Sequence, residues 1–197
     1  MTVAVAVRKG SRTIVAADTL VHFGGQRHDP RNARFHKIQP AGDSLIAWAG
    51  WALYAEMLDA HLAEHTAPPL RTETEVYAFF VDFWRSMLQD YSLQRQAARR
   101  DGRTPFVELD SVFIVANDSG IFRIAADMDV TRFEQYAAIG SGSEYALGAL
   151  RVLYDDLDDP EVIAIRAVEV GIACDIYCDG PIDVVEVGAR GRRPGSR

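Results

Sequence analysis

The sequence predicts an α+β domain in which two antiparallel sheets stack and a pair of helices covers each outer face, a four-layer αββα sandwich. Three observations carry that prediction. Apolar residues recur with a period of two at the start, in the middle and near the end of the chain. Two long stretches of helical period separate those strand groups, and turn residues join neighbouring strands.

In chain order, Val3, Val5 and Val7 alternate with Ala4, Ala6 and Arg8, and Lys9-Gly10-Ser11 turns this strand into a second one, Arg12 to Asp18. Thr19 to Arg34 is polar and rich in turn residues (Gly24-Gly25, Asp29-Pro30). It leads to a short strand from Arg34 to Ile38, and Ser44 to Ala49 forms another. Gly50 marks the switch to helical period from Trp51 to His65, with Pro68-Pro69 beyond it. A longer helix spans Thr72 to Arg100, its stripe of Val76, Phe79, Phe80, Phe83, Trp84 and Met87 reading as a core face. After Asp101-Gly102 the period returns to two. Ser111 to Ala116 and Gly120 to Ala125 flank a hairpin turn, and Phe133 to Ile139 is a further strand. Gly140-Ser141-Gly142-Ser143 opens a helix to Tyr154, and Asp159-Pro160 caps and starts another that stops at Gly171. Strands at Cys174 to Cys178 and Ile182 to Val187 complete one domain, residues 1–188, with a basic tail at 189–197.

Composition excludes several classes. The chain has 197 residues, 48% of them hydrophobic and 25% charged, enough apolar material for a core. A net charge of −7 lacks the footprint of a nucleic-acid binder. No apolar run approaches the ~20 residues of a membrane-spanning helix, and Arg8 interrupts the apolar start, so a soluble, cytoplasmic protein is expected. Cys174 and Cys178, four apart on an extended strand, would be separated by ~13 Å, beyond disulfide reach.

The residue with most chemical promise is Thr2. Removal of Met1 would leave its α-amine free, and an α-amine with an ordinary pKa of ~7.7–8.0 can accept the proton of the hydroxyl beside it. Four segments could surround it. Asp18 ends the hairpin's return strand. Gly50 offers a backbone N–H at a helix start, suited to an oxyanion. Ser141 places a hydroxyl in a strand-to-helix turn, and Asp175 sits in a late strand.

Thr2-Val3-Ala4-Val5-Ala6-Val7, Ile14-Val15-Ala16-Ala17-Asp18, Trp48-Ala49-Gly50 and Ala138-Ile139-Gly140-Ser141-Gly142-Ser143-Glu144-Tyr145-Ala146 strongly resemble the proteasome β-subunit and HslV family of N-terminal-nucleophile peptidases, from Thr2 to Val187. Short length and few cysteines look HslV-like, or like the related bacterial proteasome homologue. The resemblance implies a threonine endopeptidase working inside stacked homo-oligomeric rings, with peptides or unfolded proteins as substrates and an ATP-driven unfoldase as a partner. It assigns Thr2 as nucleophile, Asp18 as the orienter of a nearby base, Gly50 as oxyanion donor, Ser141 as a partner of the threonine amine, and Asp175 with Cys178 to the family's Asp-x-x-Ser segment. Val21, His22 and Trp48 fall where the substrate pocket is shaped, and a bulky indole at Trp48 would favour small side chains unless it turns into the core. Carbonyls of Ile172, Asp175 and Cys178 align with a monovalent-cation (Na+) site; no other cofactor is implied.

Counting from the nucleophile, the family's active-site lysine falls on Arg34, which keeps the charge but cannot release a proton at neutral pH. This puts a lysine proton shuttle in question and leaves a weakly active or catalytically impaired ring subunit as the alternative to the threonine endopeptidase, against which the retained Thr2, Asp18, Gly50 and Ser141 argue. Strand parity directs Lys37 to the opposite face. From a different chemistry, His61-Leu62-Ala63-Glu64-His65 matches a zinc-peptidase pattern, with both histidines one helical turn apart.

Overall fold

The computed structural model describes residues 1–23, 26–27, 32, 35–90 and 111–188. The expectations for Gly24-Gly25, Asp29-Pro30, Arg34, Asp101-Gly102, the second helix beyond Asp90 and the basic tail fall outside them.

Strands β1 (Ala4–Lys9) and β2 (Arg12–Asp18) form the expected hairpin, with Ala4 opposite Ala17 and Lys9 opposite Arg12. A two-residue pair, β3 (His22–Phe23) with β4 (Gln26–Arg27), follows. β5 (Ile38–Ala41) and β6 (Ser44–Gly50) lead into helices α1 (Ala52–Glu64) and α2 (Glu73–Asp90). Next come β7 (Ser111–Asn117), β8 (Gly120–Ile124), β9 (Val130–Phe133) and β10 (Tyr136–Ile139), then α3 (Ser143–Asp156), α4 (Pro160–Cys174) and β11 (Ile182–Glu186). One sheet has the order β10-β1-β2-β11 and the other β5-β6-β7-β8-β9, and every pairing in both is antiparallel.

The parity of β1 explains the layering. Val3, Val5 and Val7 face outward and pack with Leu150 of α3 and Ile163 and Val168 of α4. Ala4 and Ala6 face inward with Val15 and Ala17, against Ala47, Ala49, Ile114 and Ala116 of the second sheet. Alanines on both sides leave little volume between the sheets, so the two backbones approach closely. Beyond the second sheet, Ile46, Trp48, Phe113 and Phe122 pack under Leu58 of α1 and Phe80, Phe83 and Met87 of α2. The helical stripe read as a core face is one.

Two elements differ from expectation. The run from Phe133 to Ile139 is not one strand. β9 ends the second sheet, the chain crosses over at Glu134-Gln135, and β10 joins the first sheet beside β1. A period of two reports alternating faces and is blind to a change of sheet. Cys174 to Cys178 is not a strand either. α4 runs through Gly171 to Cys174, Asp175 is its C-cap, and the Cys178 N–H bonds the Asp175 carbonyl in the turn beyond. Gly171 looked like a helix stop, but its role is packing: a Cβ there would stand 2.7 Å from Val3 Cγ2. Both thiols are free, Cys174 exposed and Cys178 buried, and the extended-strand geometry expected between them is replaced by a helix end and a turn. The Asp159 carboxylate caps α4 by accepting from the Glu161 N–H, with Pro160 in the first turn.

Gly171→Ala should therefore force α4 away from β1 and lower stability by ~1–3 kcal/mol, the usual cost of overpacking a filled core. Urea denaturation of the variant against the parent measures it.

Candidate active site

The hairpin, the β10–α3 turn and the segment after α4 converge on Thr2, which is buried. β1 begins two residues after it, so ladder hydrogen bonds fix its backbone from one side. Its carbonyl accepts the Gly142 N–H at 3.2 Å, and Ser141 Oγ lies 3.4 Å from its amide nitrogen, whose N–H it accepts. Gly140, at φ +94°, makes this approach feasible, because a Cβ there would meet the Thr2 carbonyl oxygen at 2.1 Å. The Thr2 hydroxyl donates to the Met1 carbonyl at 2.7 Å.

Asp18, at the end of β2, is fully buried and heavily bonded. Its Oδ1 accepts the Val3 N–H at 2.9 Å and the Lys37 ammonium at 2.8 Å; its Oδ2 accepts the N–H groups of Leu20 and Asp179, each at 3.3 Å. Lys37 Nζ also donates to the Met1 carbonyl at 3.2 Å, which ties it to the peptide preceding Thr2. Burial pulls the Lys37 ammonium below the ordinary lysine range against the opposing pull of Asp18, and it pushes the Asp18 carboxyl up against the stabilising pull of Lys37 and its N–H donors. The chain's terminal amine is lowered in the same way, by burial first and then by the Lys37 charge.

Lys37 thus overturns the parity argument that sent it to the opposite face. That argument treated Arg34 to Ile38 as one strand, whereas β5 begins only at Ile38 and Lys37 approaches from irregular chain. Counting from Thr2 to Arg34 likewise ignored the length of the preceding loop. Arg34 itself is outside the described residues. A signal was present in the sequence: of its 21 lysines and arginines only Lys9 and Lys37 are lysines.

Behind Ser141 lies a second polar group. The Cys178 thiol donates to Asp175 Oδ2 at 3.2 Å and stands 3.9 Å from Ser141 Oγ. Burial, with the Asp18 and Asp175 charges, pushes that thiol up to about 12, so it is a protonated donor. Burial pushes Asp175 up as well, but hydrogen bonds from Ser141, the Tyr177 N–H and Cys178 outweigh it and hold the carboxyl below the usual range. Asp175 comes from the C-cap of α4, not from a strand.

A cavity of about 670 Å³ opens in front of Thr2, lined by Thr2, Lys37, Gly50, Ser141 and the apolar Leu20, Val21, Trp48 and Val112. Gly50 ends β6 opposite Ser111, where the chain turns into α1. Trp48 both borders the cavity and packs into the core under α1 and α2, with 2% of its surface exposed. The His22 side chain is outside the described residues. Ile172 lies in the last turn of α4, upstream of Asp175 and Cys178 on one continuous segment. The His61 and His65 rings stack on each other, and His61 is buried against Phe79 and Phe83. Among the described residues no group of three metal-ligating side chains occurs. The histidine pair belongs to the α1–α2 interface.

No protein-family model matches the sequence. The chain is 29% identical over 192 residues to the ATP-dependent protease subunit HslV of Caldicellulosiruptor saccharolyticus, an alignment covering 94% of this chain and 98% of that one. It is 27% identical to HslV of Roseobacter denitrificans, over 95% of this chain and 94% of that one. Among solved structures, Thiobacillus denitrificans BPH in complex with epoxomicin superposes with a TM-score of 0.84 at 27% identity, covering 93% of this chain and 97% of that one. Eukaryotic HslV from Trypanosoma brucei gives 0.63 at 22% identity over 93% and 98%, a likeness of fold.

Lys37→Met would strand the Asp18 carboxylate in the buried interior without its cation. The variant should lose ~3–5 kcal/mol of stability, the cost of leaving one buried charge unpaired. Chemical denaturation reads this without reference to activity.

Proposed function

We propose that the chain is a member of the HslV-like proteasome β-subunit family, a threonine peptidase of the N-terminal-nucleophile kind, and that its residues divide the work as follows. Release of Met1 frees the Thr2 amine. The Thr2 hydroxyl attacks a substrate carbonyl, and its proton passes to the amine directly or through one water. The Gly50 N–H donates to the oxyanion that forms. The amine returns the proton to the departing peptide nitrogen, and water then hydrolyses the acyl-threonine.

The observation that carries this reading is the Lys37–Asp18 pair buried beside Thr2. A cation at that place holds the neighbouring amine below its ordinary pKa, so that more of it is unprotonated at neutral pH and able to act as base. Asp18 fixes the ammonium and, through the Val3 N–H, the strand that carries the nucleophile. The case for weak activity rested on Arg34 in the lysine's place, and Lys37 removes its basis. Ser141, braced by Asp175 and Cys178, orients the amine.

The relatives' description as subunits of an ATP-dependent protease supports assembly with further copies and with an ATP-driven unfoldase. In this proposal the copies form stacked rings in the cytoplasm, and the cavity before Thr2 receives unfolded polypeptide. Trp48 borders that cavity but its indole is spent in the core under α1 and α2, so the expected preference for small side chains at the cleaved position loses its basis. Carbonyls at the end of α4 carry the negative end of the helix dipole, and those of Ile172, Asp175 and Cys178 would suit a monovalent cation such as Na+. Its chemistry would be structural, steadying the turn that presents Asp175.

Intact-mass measurement tests the central claim. The purified protein should lack Met1 and gain one epoxyketone per chain, a reagent that requires both the free amine and the adjacent hydroxyl. Thr2→Ala should abolish labelling and lower peptide hydrolysis by at least ~100-fold. A chain that retains Met1, takes up no reagent and cleaves no peptide would overturn the reading. A second measurement concerns pH. Catalysis needs the unprotonated amine, so kcat/KM should rise with pH and reach half its plateau below the ~7.7–8.0 of an ordinary α-amine.

A further inference from the structure

The peptidase reading uses Lys37 but leaves open what holds it, since its side chain enters the site from chain that belongs to no strand. On the C-terminal side the answer is β6: the Lys37 carbonyl accepts the Trp48 N–H at 3.1 Å. On the N-terminal side stands His36, whose Nδ1 lies 2.7 Å from Asp183 Oδ2. Asp183 sits on β11 opposite Ala17, one residue beyond the pairing of Ile182 with Asp18, and only 5% of its surface is exposed. A carboxylate so buried needs a partner, and among the described residues its partner is His36.

The segment leading into β11 makes further bonds to the same region. The Asp179 N–H donates to Asp18 Oδ2, and the Thr19 hydroxyl donates to the Pro181 carbonyl at 2.8 Å. Residues 179–183 therefore hold Asp18 directly and Lys37 through its neighbour. We propose that His36 and Asp183 form a positioning pair that clamps the chain entering β5 and so fixes the Lys37 ammonium against Asp18. The inference rests on the peptidase reading for its consequence in catalysis; the clamp itself rests on geometry. Lys37 has a four-carbon stem with 1% of its side-chain surface exposed, so a small rotation of its backbone would either withdraw the ammonium from Asp18 or expose it to water. Errors of about 1 Å in such groups cost ~100-fold in rate.

The sequence supplies an internal standard, because the only lysines are Lys9 and Lys37. The experiment compares wild type, His36→Ala and His36→Asn in the full chain. The asparagine Nδ2 falls where the imidazole Nδ1 was and can still donate to Asp183. Each protein is treated with an amine-acylating ester, and labelling at both lysines is followed by peptide mass spectrometry; kcat and KM for a peptide substrate are measured in parallel.

In His36→Ala the rate of Lys37 acylation relative to Lys9 should rise at least ~10-fold, and kcat should fall by ~10-fold or more with KM little changed. His36→Asn should restore most of both. A wild-type Lys37:Lys9 ratio in His36→Ala, or equal acceleration at both lysines, which marks general loosening of the fold, would overturn the clamp. So would a His36→Asn variant as impaired as His36→Ala. A wild type that hydrolyses no peptide overturns the peptidase reading instead, and the labelling ratio still supports or overturns the clamp.

Discussion

Everything at this site hangs on one ammonium and one carboxylate, both buried and held 2.8 Å apart. Neither charge is tolerable alone in such a place, since burial drives each toward its neutral form. Together they are tolerable because the carboxylate is saturated with donors drawn from distant parts of the chain: the Val3 amide at the head of β1, the Leu20 amide just past β2, and the Asp179 amide before β11. The pair is thus the point at which the first sheet, the loop after β2 and the approach to β5 are forced into one geometry. For stability alone, apolar residues of equal volume often do as well. The pair's chemical use lies in the proposed mechanism, where it places a fixed positive charge beside the Met1–Thr2 peptide, whose carbonyl the ammonium also bonds.

Much of the fold was legible because the alternation is strict. Val3, Val5 and Val7 against Ala4 and Ala6 state which face meets helices and which meets another sheet, and the structure follows that division residue by residue. The aromatic stripe of α2 was equally direct. Legibility failed where periodicity carries no information. It cannot report that β9 and β10 belong to different sheets, nor that Gly171 serves close packing against Val3 in place of ending a helix.

The site was partly legible for the same reason. Thr2, Asp18 and Ser141 sit at ends of regular elements, where register dictates position, and the structure brings them together. Lys37 does not. It precedes β5 by one residue after a long irregular stretch, and both arguments applied to it, counting from Thr2 and strand parity, assume regular chain. His36 and Asp183 were invisible altogether, since a histidine before a strand and an aspartate within one carry no pattern. Only their meeting across the sheet edge gives them meaning.

The bonds around Thr2 also make its site a product of the whole chain. Its partners lie far along the chain: Ser141 is 139 positions away, and the Asp18 carboxylate that bonds the next amide is itself held by Lys37 and Asp179. In the proposed mechanism the reactive end is complete only when the segment before β11, whose Asp179 N–H bonds Asp18, has docked.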